Sequence, residues 1–247
     1  MSEQTHKTVI AVDGPAASGK GTFAKALADR LGYAYLDTGS LYRIVAWATL
    51  ERGGDPTKLE DVKTSLPLIK FPLGPEVLKN EDLRRPEVDE AVPKVSAIPE
   101  VRAIIRAYQA AFMKDPPGNA PGVVLDGRDI GSTIAPNADV KFFVTADAEE
   151  RARRRFEQQK DSNPGLTKEM VLKDINLRDE QDRRQAALAL HPASDVCVLD
   201  TTKAKPDETL EQGLRIVKAK LSVNDNSSGN SSVNKKKIAP KPPGFRL

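Results

Sequence analysis

The sequence predicts an α/β fold in which helices cover both faces of a parallel β-sheet. Short apolar runs rich in β-branched residues alternate with segments of helical periodicity, which is the pattern of strands joined by helical crossovers. Several of these runs end in an aspartate, and such folds bind ligands at the carboxyl ends of their strands. Five strands are predicted, at 8–12, 33–37, 122–126, 140–144 and 195–199.

The first strand leads into a glycine-bounded loop that ends in a lysine, and a helix pattern follows at once. The loop is Gly14-Pro15-Ala16-Ala17-Ser18-Gly19-Lys20-Gly21-Thr22. Strand, glycine loop, lysine and helix together describe a P-loop, whose backbone N–H groups and lysine hold nucleotide phosphates. The strict motif has Ser or Thr directly after the lysine, whereas here Gly21 takes that place and Thr22 follows. We expect a nucleoside triphosphate along this loop, with Lys20 on its β- and γ-phosphates.

Further helices are predicted along the chain, and one region between them has a different character. Residues 53–98 contain short apolar pieces, many prolines and a run of charges, which indicates a small insertion into the sheet domain. After the P-loop helix at 20–31, helices are predicted at 40–52, 99–113, 148–159, 167–189 and 206–221.

Composition excludes several classes of protein. The chain has 247 residues, enough for a substantial core, and no apolar run approaches the length of a membrane span. Its one cysteine, Cys197, excludes an internal disulfide and a cysteine zinc cluster, and its two histidines argue against a histidine metal site. We therefore expect a cytoplasmic protein without membrane contact, and we expect it to be a monomer.

The net charge of +3 comes from the end of the chain. Residues 222–247 contain five Lys or Arg and one Asp, which leaves residues 1–221 with a net charge of −1. A nucleic-acid-binding fold normally carries its basic surface on the domain itself, so nucleic acid is not the expected partner. The same tail is rich in Asn, Ser, Lys and Pro, and we expect it to be disordered.

Two charged clusters follow predicted strands. Asp37-Thr38-Gly39-Ser40-Leu41-Tyr42-Arg43 follows the second strand, and its arginine can fork onto a phosphate. Asp126-Gly127-Arg128-Asp129 follows the third, where Asp126 can hold Mg²⁺ through water and Arg128 can bridge the reacting phosphates. The alternatives are a helix start with a surface arginine and a turn closed by a salt bridge.

A third cluster of charges lies on two predicted helices. Arg151-Ala152-Arg153-Arg154-Arg155 is followed by Arg178-Asp179-Glu180-Gln181-Asp182-Arg183-Arg184, and together they form an arginine-rich helical hairpin. Such a charge run is often a solvated face. Beside a P-loop, it favours a mobile lid that clamps phosphates.

In combination, these motifs resemble those of the bacterial-type cytidylate kinases, a family of P-loop nucleoside monophosphate kinases. The resemblance covers residues 8 to about 221 and includes Pro99-Glu100-Val101-Arg102. It implies a three-layer α/β/α P-loop NTPase fold with a five-stranded parallel sheet. It also implies phosphotransferase activity, in which the γ-phosphoryl group of Mg²⁺·ATP passes to CMP or dCMP and gives ADP and CDP or dCDP.

The resemblance implies a role for each matched residue and a boundary for each part of the chain. Lys20, Arg128 and Asp126 would be catalytic, and Arg154 and Arg155 would join the P-loop on ATP. The CMP site would consist of Thr38, Tyr42, Arg43, Arg102, Asp129, Arg178 and Asp182. The core would comprise 1–52, 99–150 and 178–221, with an acceptor-binding insertion at 53–98, a helical lid at 151–177 and a disordered basic tail at 222–247.

Two positions differ from the family pattern, and two other functions stay open. Pro93 stands where the family has a serine that contacts the base, and Gln185 stands where it has a nucleotide-binding arginine. One alternative is a P-loop kinase for another nucleoside monophosphate such as UMP, or for a small metabolite. The other is a nucleotide-binding module that acts on RNA through the basic tail.

Overall fold

A computed structural model of the chain describes residues 6–161, 163–184 and 194–229, and its centre is a parallel β-sheet. Within those residues the sheet has five strands in the order β2-β3-β1-β4-β5. The strands are β1 (Thr8–Asp13), β2 (Ala34–Asp37), β3 (Gly122–Gly127), β4 (Val140–Thr145) and β5 (Val196–Asp200). The predicted five-stranded parallel sheet is confirmed.

Helices cover both faces of this sheet, as predicted. They are α1 (Lys20–Leu31), α2 (Thr38–Glu51), α3 (Leu59–Lys63), α4 (Pro75–Leu78), α5 (Pro86–Ser96), α6 (Pro99–Lys114), α7 (Ala148–Gln159), α8 (Lys168–Arg184) and α9 (Pro206–Gly229). On one face, α1 and α9 pack over β4, where the Phe23 and Phe142 rings meet edge to face with centroids 5.2 Å apart.

The opposite face of the sheet carries the insertion. Ile44 of α2, Ile105 of α6 and Leu125 of β3 are fully buried in one apolar cluster. Val88 of α5 is buried in the same cluster, so the last helix of residues 53–98 packs onto the sheet domain through α2. This region is helical, and prolines occupy the first position of α4 and α5, where a missing N–H is tolerated.

The two arginine-rich helices pack against each other. Ala152 of α7 meets Val171 and Ile175 of α8 in a small apolar cluster of their own. Thr167, the predicted N-cap of α8, accepts a hydrogen bond from the Met170 N–H at 3.2 Å. The predicted end of this helix near residue 189, and Gln185 with it, lie outside the described residues.

The last helix is longer than predicted. The helical pattern was expected to end at residue 221, whereas α9 continues to Gly229, so the first eight residues of the predicted tail are helical. Residues 230–247 lie outside the described residues. In the ranges that the structure covers, no helix is both long and apolar enough to cross a membrane.

Parallel register brings the charged strand ends together. Val12 of β1 is paired with Asp126 of β3, and Asp37 of β2 is paired with the same Asp126 on its other side. The loops and clusters that follow these three strands therefore meet at one edge of the sheet, as expected for a ligand site in this architecture.

Candidate active site

The P-loop turns tightly against the sheet between β1 and α1. A Cβ at Gly14 would collide with the carbonyl oxygen of Val144, so only glycine allows this close approach. Gly19 precedes α1 with a positive φ of 86°, a conformation that glycine adopts without strain. The loop ends at the first turn of α1, where free N–H groups and the helix dipole favour an anion.

The P-loop lysine faces a carboxylate at the end of β3. The Lys20 Nζ lies 3.7 Å from Asp126 Oδ1, and both side chains are largely buried. Burial, and then the nearby Arg128 guanidinium, lower the pKa of Lys20 to about 8, whereas burial raises the pKa of Asp126. The Tyr35 hydroxyl donates to the other carboxylate oxygen at 3.2 Å, which fixes its orientation.

Two positions of the loop bear on its chemistry. Gly21 explains the departure from the strict motif, and Ser18 supports a fit to phosphate. A Cβ at Gly21 would lie 3.0 Å from Asp126 Oδ2, so a Ser or Thr there would crowd that carboxylate, while Thr22 is exposed. The Ser18 hydroxyl is buried and has no hydrogen-bond partner among the described residues. Such a group is costly to leave unpaired, and a phosphate oxygen would satisfy it.

The helix α7 reaches the P-loop through Arg154. Its Nη1 donates to Thr201 Oγ1 at 2.9 Å, and the Thr201 hydroxyl donates to the Ser18 carbonyl at 2.8 Å. Arg154 Nη1 also lies 3.7 Å from the position that a Cβ on Gly19 would take. This predicted ATP residue is thus beside the loop, and sequence reasoning missed Thr201, which directly follows β5.

Arg151, which the sequence grouped with the phosphate-clamping arginines, has a different position. Its guanidinium is buried, donates to the carbonyls of Ala146 at 2.9 Å and Ala16 at 3.3 Å, and makes a bidentate pair with Asp179 at 3.1 and 2.6 Å. Its donors are therefore committed to holding α7, α8 and the P-loop together. We infer from these contacts a structural role for Arg151 in place of the expected contact with phosphate.

In the cluster that follows β2, some side chains form hydrogen bonds that support the fold. Thr38 is buried, and its hydroxyl donates to the Asp126 carbonyl at 2.7 Å, so it ties α2 to β3. Tyr42 is half-buried close to Arg102 and Asp129, and burial raises its pKa. Asp37 caps α2 by accepting from the Gly39 N–H at 3.0 Å.

The cluster after β3 is held by two ion pairs that reach other elements. Arg128 Nε lies 2.9 Å from Asp182 Oδ2 on α8. Asp129 Oδ2 lies 3.6 Å from Arg102 Nη2 on α6. These pairs connect the adjacent predicted site residues of this turn to two others that are distant in sequence, on α6 and α8. The salt-bridge alternative predicted for this turn describes part of the same arrangement.

A further group of arginines meets between α2, α7 and α8. Arg43 Nη2 lies 3.1 Å from Asp89 Oδ1, and Arg155 Nη2 lies 2.7 Å from Asp89 Oδ2. Burial and the nearby Arg128 and Arg43 lower the pKa of Arg178. Arg155, which was predicted to contact ATP, instead pairs with Asp89 of α5, a residue that no sequence motif had singled out.

Pro93, one of the two positions that differ from the family pattern, lies in α5. Pro93 is inside this helix, and its carbonyl accepts a hydrogen bond from the Ser96 hydroxyl at 3.0 Å. The nearby serine thus makes a contact within its own helix. Neither residue takes part in the ion pairs of the site.

One more carboxylate at the sheet edge supports the backbone. Asp13 accepts from the N–H groups of Ile130 at 2.8 Å and Gly131 at 2.7 Å, and so anchors the turn that follows Asp129. Burial raises the pKa of Asp13 to about 6. We assign it to the support of that turn.

The chain is similar to cytidylate kinases over most of its length. The cytidylate kinase family model matches residues 10–219 of the chain. A cytidylate kinase of Rhodospirillum rubrum is 43% identical over 209 residues, which cover 85% of this chain and 96% of that protein. A cytidylate kinase of Paramagnetospirillum magneticum is 44% identical over 213 residues, which cover 86% and 99%.

A solved structure extends the comparison to the fold. An uncharacterized protein from Eubacterium ventriosum has a TM-score of 0.51 and 12% identity, over 86% of this chain and 99% of that chain, which is a likeness of fold alone. With the family match over most of its length and relatives above 40% identity, the chain belongs to the cytidylate kinase family.

Proposed function

We propose that this protein transfers the γ-phosphoryl group of ATP to CMP or dCMP. One observation carries the proposal: the P-loop lysine and the Asp126 carboxylate lie at the edge of the sheet where three ion-paired arginines also gather, namely Arg43 of α2, Arg102 of α6 and Arg128 of the turn after β3. A donor triphosphate and an acceptor monophosphate each need such a set of donors. Family membership supports the same activity and does not favour the RNA-binding or other-kinase alternatives.

Catalysis in this proposal is positioning and charge stabilisation. The P-loop N–H groups, Ser18 and Lys20 would hold the donor phosphates, with Arg154 beside them. Arg128, next to both Lys20 and Asp182, would bridge the reacting phosphates. Since phosphoryl transfer spreads charge over the transferring oxygens, fixed guanidinium and ammonium groups stabilise its transition state more than its ground state.

The acceptor would be recognised by groups on the other side of Arg128. Arg43 and Arg178 would contact its phosphate, and Asp129, oriented by Arg102, would accept from the exocyclic amine of cytosine. Tyr42 would pack beside the base. These roles divide the site into a donor half and an acceptor half, which share Arg128.

Magnesium is the ion that the family implies, and the residues fit a water-mediated site. Among the described residues, no group of three or more His, Cys, Asp or Glu side chains could hold a metal ion. Asp126 is a buried carboxylate beside Lys20, and Gly21 offers no hydroxyl ligand, so Asp126 would act through water with ATP supplying direct ligands. When bound, Mg²⁺ neutralises charge on the phosphates.

A coupled assay of ADP release tests the proposed function. Purified full-length protein is assayed with ATP and CMP, dCMP, UMP, AMP or GMP at equal concentrations. We expect CMP and dCMP to give the highest kcat/KM. Preference for AMP or GMP would overturn the proposal, and equal use of UMP would assign the protein to pyrimidine monophosphates in general.

The remaining expectations are proposals of the same kind. We infer a monomer, testable by light scattering after size-exclusion chromatography, and a cytoplasmic location from the composition. The acceptor-binding role of 53–98 and the lid role of 151–177 are supported by the contacts of α5 and α7 with the site. Limited proteolysis with and without both nucleotides would test them, since a closing segment should become protected.

A further inference from the structure

The insertion helix α5 contributes one carboxylate to the arginine cluster. Both oxygens of Asp89 are engaged: Oδ1 accepts from Arg43 Nε at 3.2 Å and Oδ2 accepts from Arg155 Nη2 at 2.7 Å. The Asp89 side chain is 16% exposed, and the two arginine side chains are 24% and 34% exposed. The contact is therefore shielded enough for a charge-assisted hydrogen bond to matter.

The three residues come from three separate parts of the chain. Arg43 lies on α2 of the core, Asp89 on α5 of the insertion and Arg155 on α7, so each contact spans more than one segment of the fold. In sequence, Asp89 is 46 residues from Arg43 and 66 from Arg155. Movement of the insertion or of α7 would change the geometry of this bridge.

The surroundings of Asp89 are strongly basic. Burial, and then the nearby Arg128 and Arg43, lower the pKa of Arg178 on α8, whereas Asp89 raises it. Like charges this close repel one another, so a carboxylate between them holds them in fixed directions. Glu87 on the same helix pairs instead with Arg85, away from this cluster.

We propose that Asp89 is a positioning residue for the acceptor phosphate. It orients Arg43, and with it Arg155, so that the remaining N–H donors of both guanidinium groups face the phosphate of the bound monophosphate. Because an arginine presents five donors in a rigid fork, one carboxylate can hold part of the fork and leave the rest for a ligand. This inference rests on the proposed function and adds a residue to its acceptor half.

Asp89→Asn is the first test, with Glu90→Gln, an exposed neighbour on the same helix, as the matched control. Loss of one charge-assisted contact corresponds to about a tenfold rise in KM for CMP. KM for ATP should stay within about twofold of the wild type, because the P-loop does not contact Asp89. Glu90→Gln should leave both constants unchanged.

Two outcomes would overturn the proposal. An unchanged KM for CMP in folded Asp89→Asn protein would mean that the arginines need no orientation. A lower KM would mean that Asp89 competes with the acceptor phosphate for the arginines. Absence of CMP phosphorylation by the wild-type protein is a different result, because it would contradict the proposed function itself.

A double-mutant cycle separates positioning from general stability. If Asp89 acts through Arg155, Arg155→Gln should raise KM for CMP much less in the Asp89→Asn background than in the wild type. Additive effects would overturn the proposal. If Asp89→Asn fails to fold, Arg155→Gln removes the same contact from the other side. It must then raise KM for CMP by the same factor and leave KM for ATP unchanged.

Discussion

The proposed donor and acceptor halves of the site are built in different ways. The donor half is one continuous loop, residues 14–22, whose shape depends on glycines and whose lysine meets a buried carboxylate. The acceptor half would be assembled from single side chains on α2, α5, α6, α8 and the turn after β3, joined by partly buried ion pairs. Backbone shape thus defines the first half, and paired charges define the second.

This difference has a consequence for function. A change in the donor half should impair transfer to every acceptor, because all of them use the same phosphates. A change in one ion pair of the acceptor half should act mainly on the affinity for CMP and leave ATP binding intact. Substitutions in the two halves therefore test the comparison directly.

Lys20→Met should give the largest effect, a fall in kcat of about 10²–10³-fold with every acceptor. The variant removes the ammonium group that faces Asp126 and would contact the donor phosphates. Steady-state assays with CMP and dCMP measure the loss, and circular dichroism checks the fold.

Lys25→Met is the matched control for this prediction. Lys25 lies on the same helix, is 62% exposed and pairs with Asp29 at 2.8 Å, so its loss should leave kcat unchanged. A folded Lys20→Met protein with wild-type turnover would contradict the assignment of Lys20 to the donor half.

Asp129→Ala should give an intermediate effect confined to the acceptor half. It removes the carboxylate that lies 3.6 Å from Arg102 and would accept from the cytosine amine. We expect KM for CMP to rise about thirtyfold, more than for Asp89→Asn, because Asp129 would contact the base directly whereas Asp89 would act through the arginines. Measuring KM for CMP and for ATP shows whether the effect is restricted to CMP, and Glu100→Ala on α6 is the control. An equal rise for ATP would show that Asp129 serves both halves.

The sequence predicted the donor half and the sheet more completely than the acceptor half. Predicted strand 8–12 corresponds to β1 at Thr8–Asp13, because a β-branched run before a glycine loop is a local signal. The proximity of Lys20 and Asp126 follows from the rule that parallel strands end at one edge. Both inferences need only neighbouring residues and the order of the strands.

The rest depends on contacts between distant residues, which no local pattern records. Asp89 is one of several acids on an amphipathic helix, and only packing of α5 against α2 brings it to Arg43. The local sequence does not distinguish Arg151 from Arg154 and Arg155, yet in the structure Arg151 is buried and pairs with Asp179. Helical spacing places these arginines on one face of α7, and tertiary packing decides which one is buried.

The pH dependence of ATP use should give the smallest effect and tests the buried character of the donor half. Burial lowers the pKa of Lys20 from 10.5 to about 8, so the ammonium is lost as the pH rises through that value. We expect kcat/KM for ATP to fall about tenfold between about pH 7 and pH 9, with Lys25→Met behaving like the wild type.

The same shift affects stability in the opposite direction. Between pH 8 and 10.5 the unfolded chain keeps a proton on Lys20 that the folded protein has released. The unfolded state then binds more protons, so this group makes the free energy of unfolding rise with pH in that window. Urea unfolding of the wild type and Lys20→Met measures it as a difference that grows with pH. A constant difference would show that Lys20 is solvated like an ordinary lysine, and the contrast between a buried donor half and a less deeply buried acceptor half would fail.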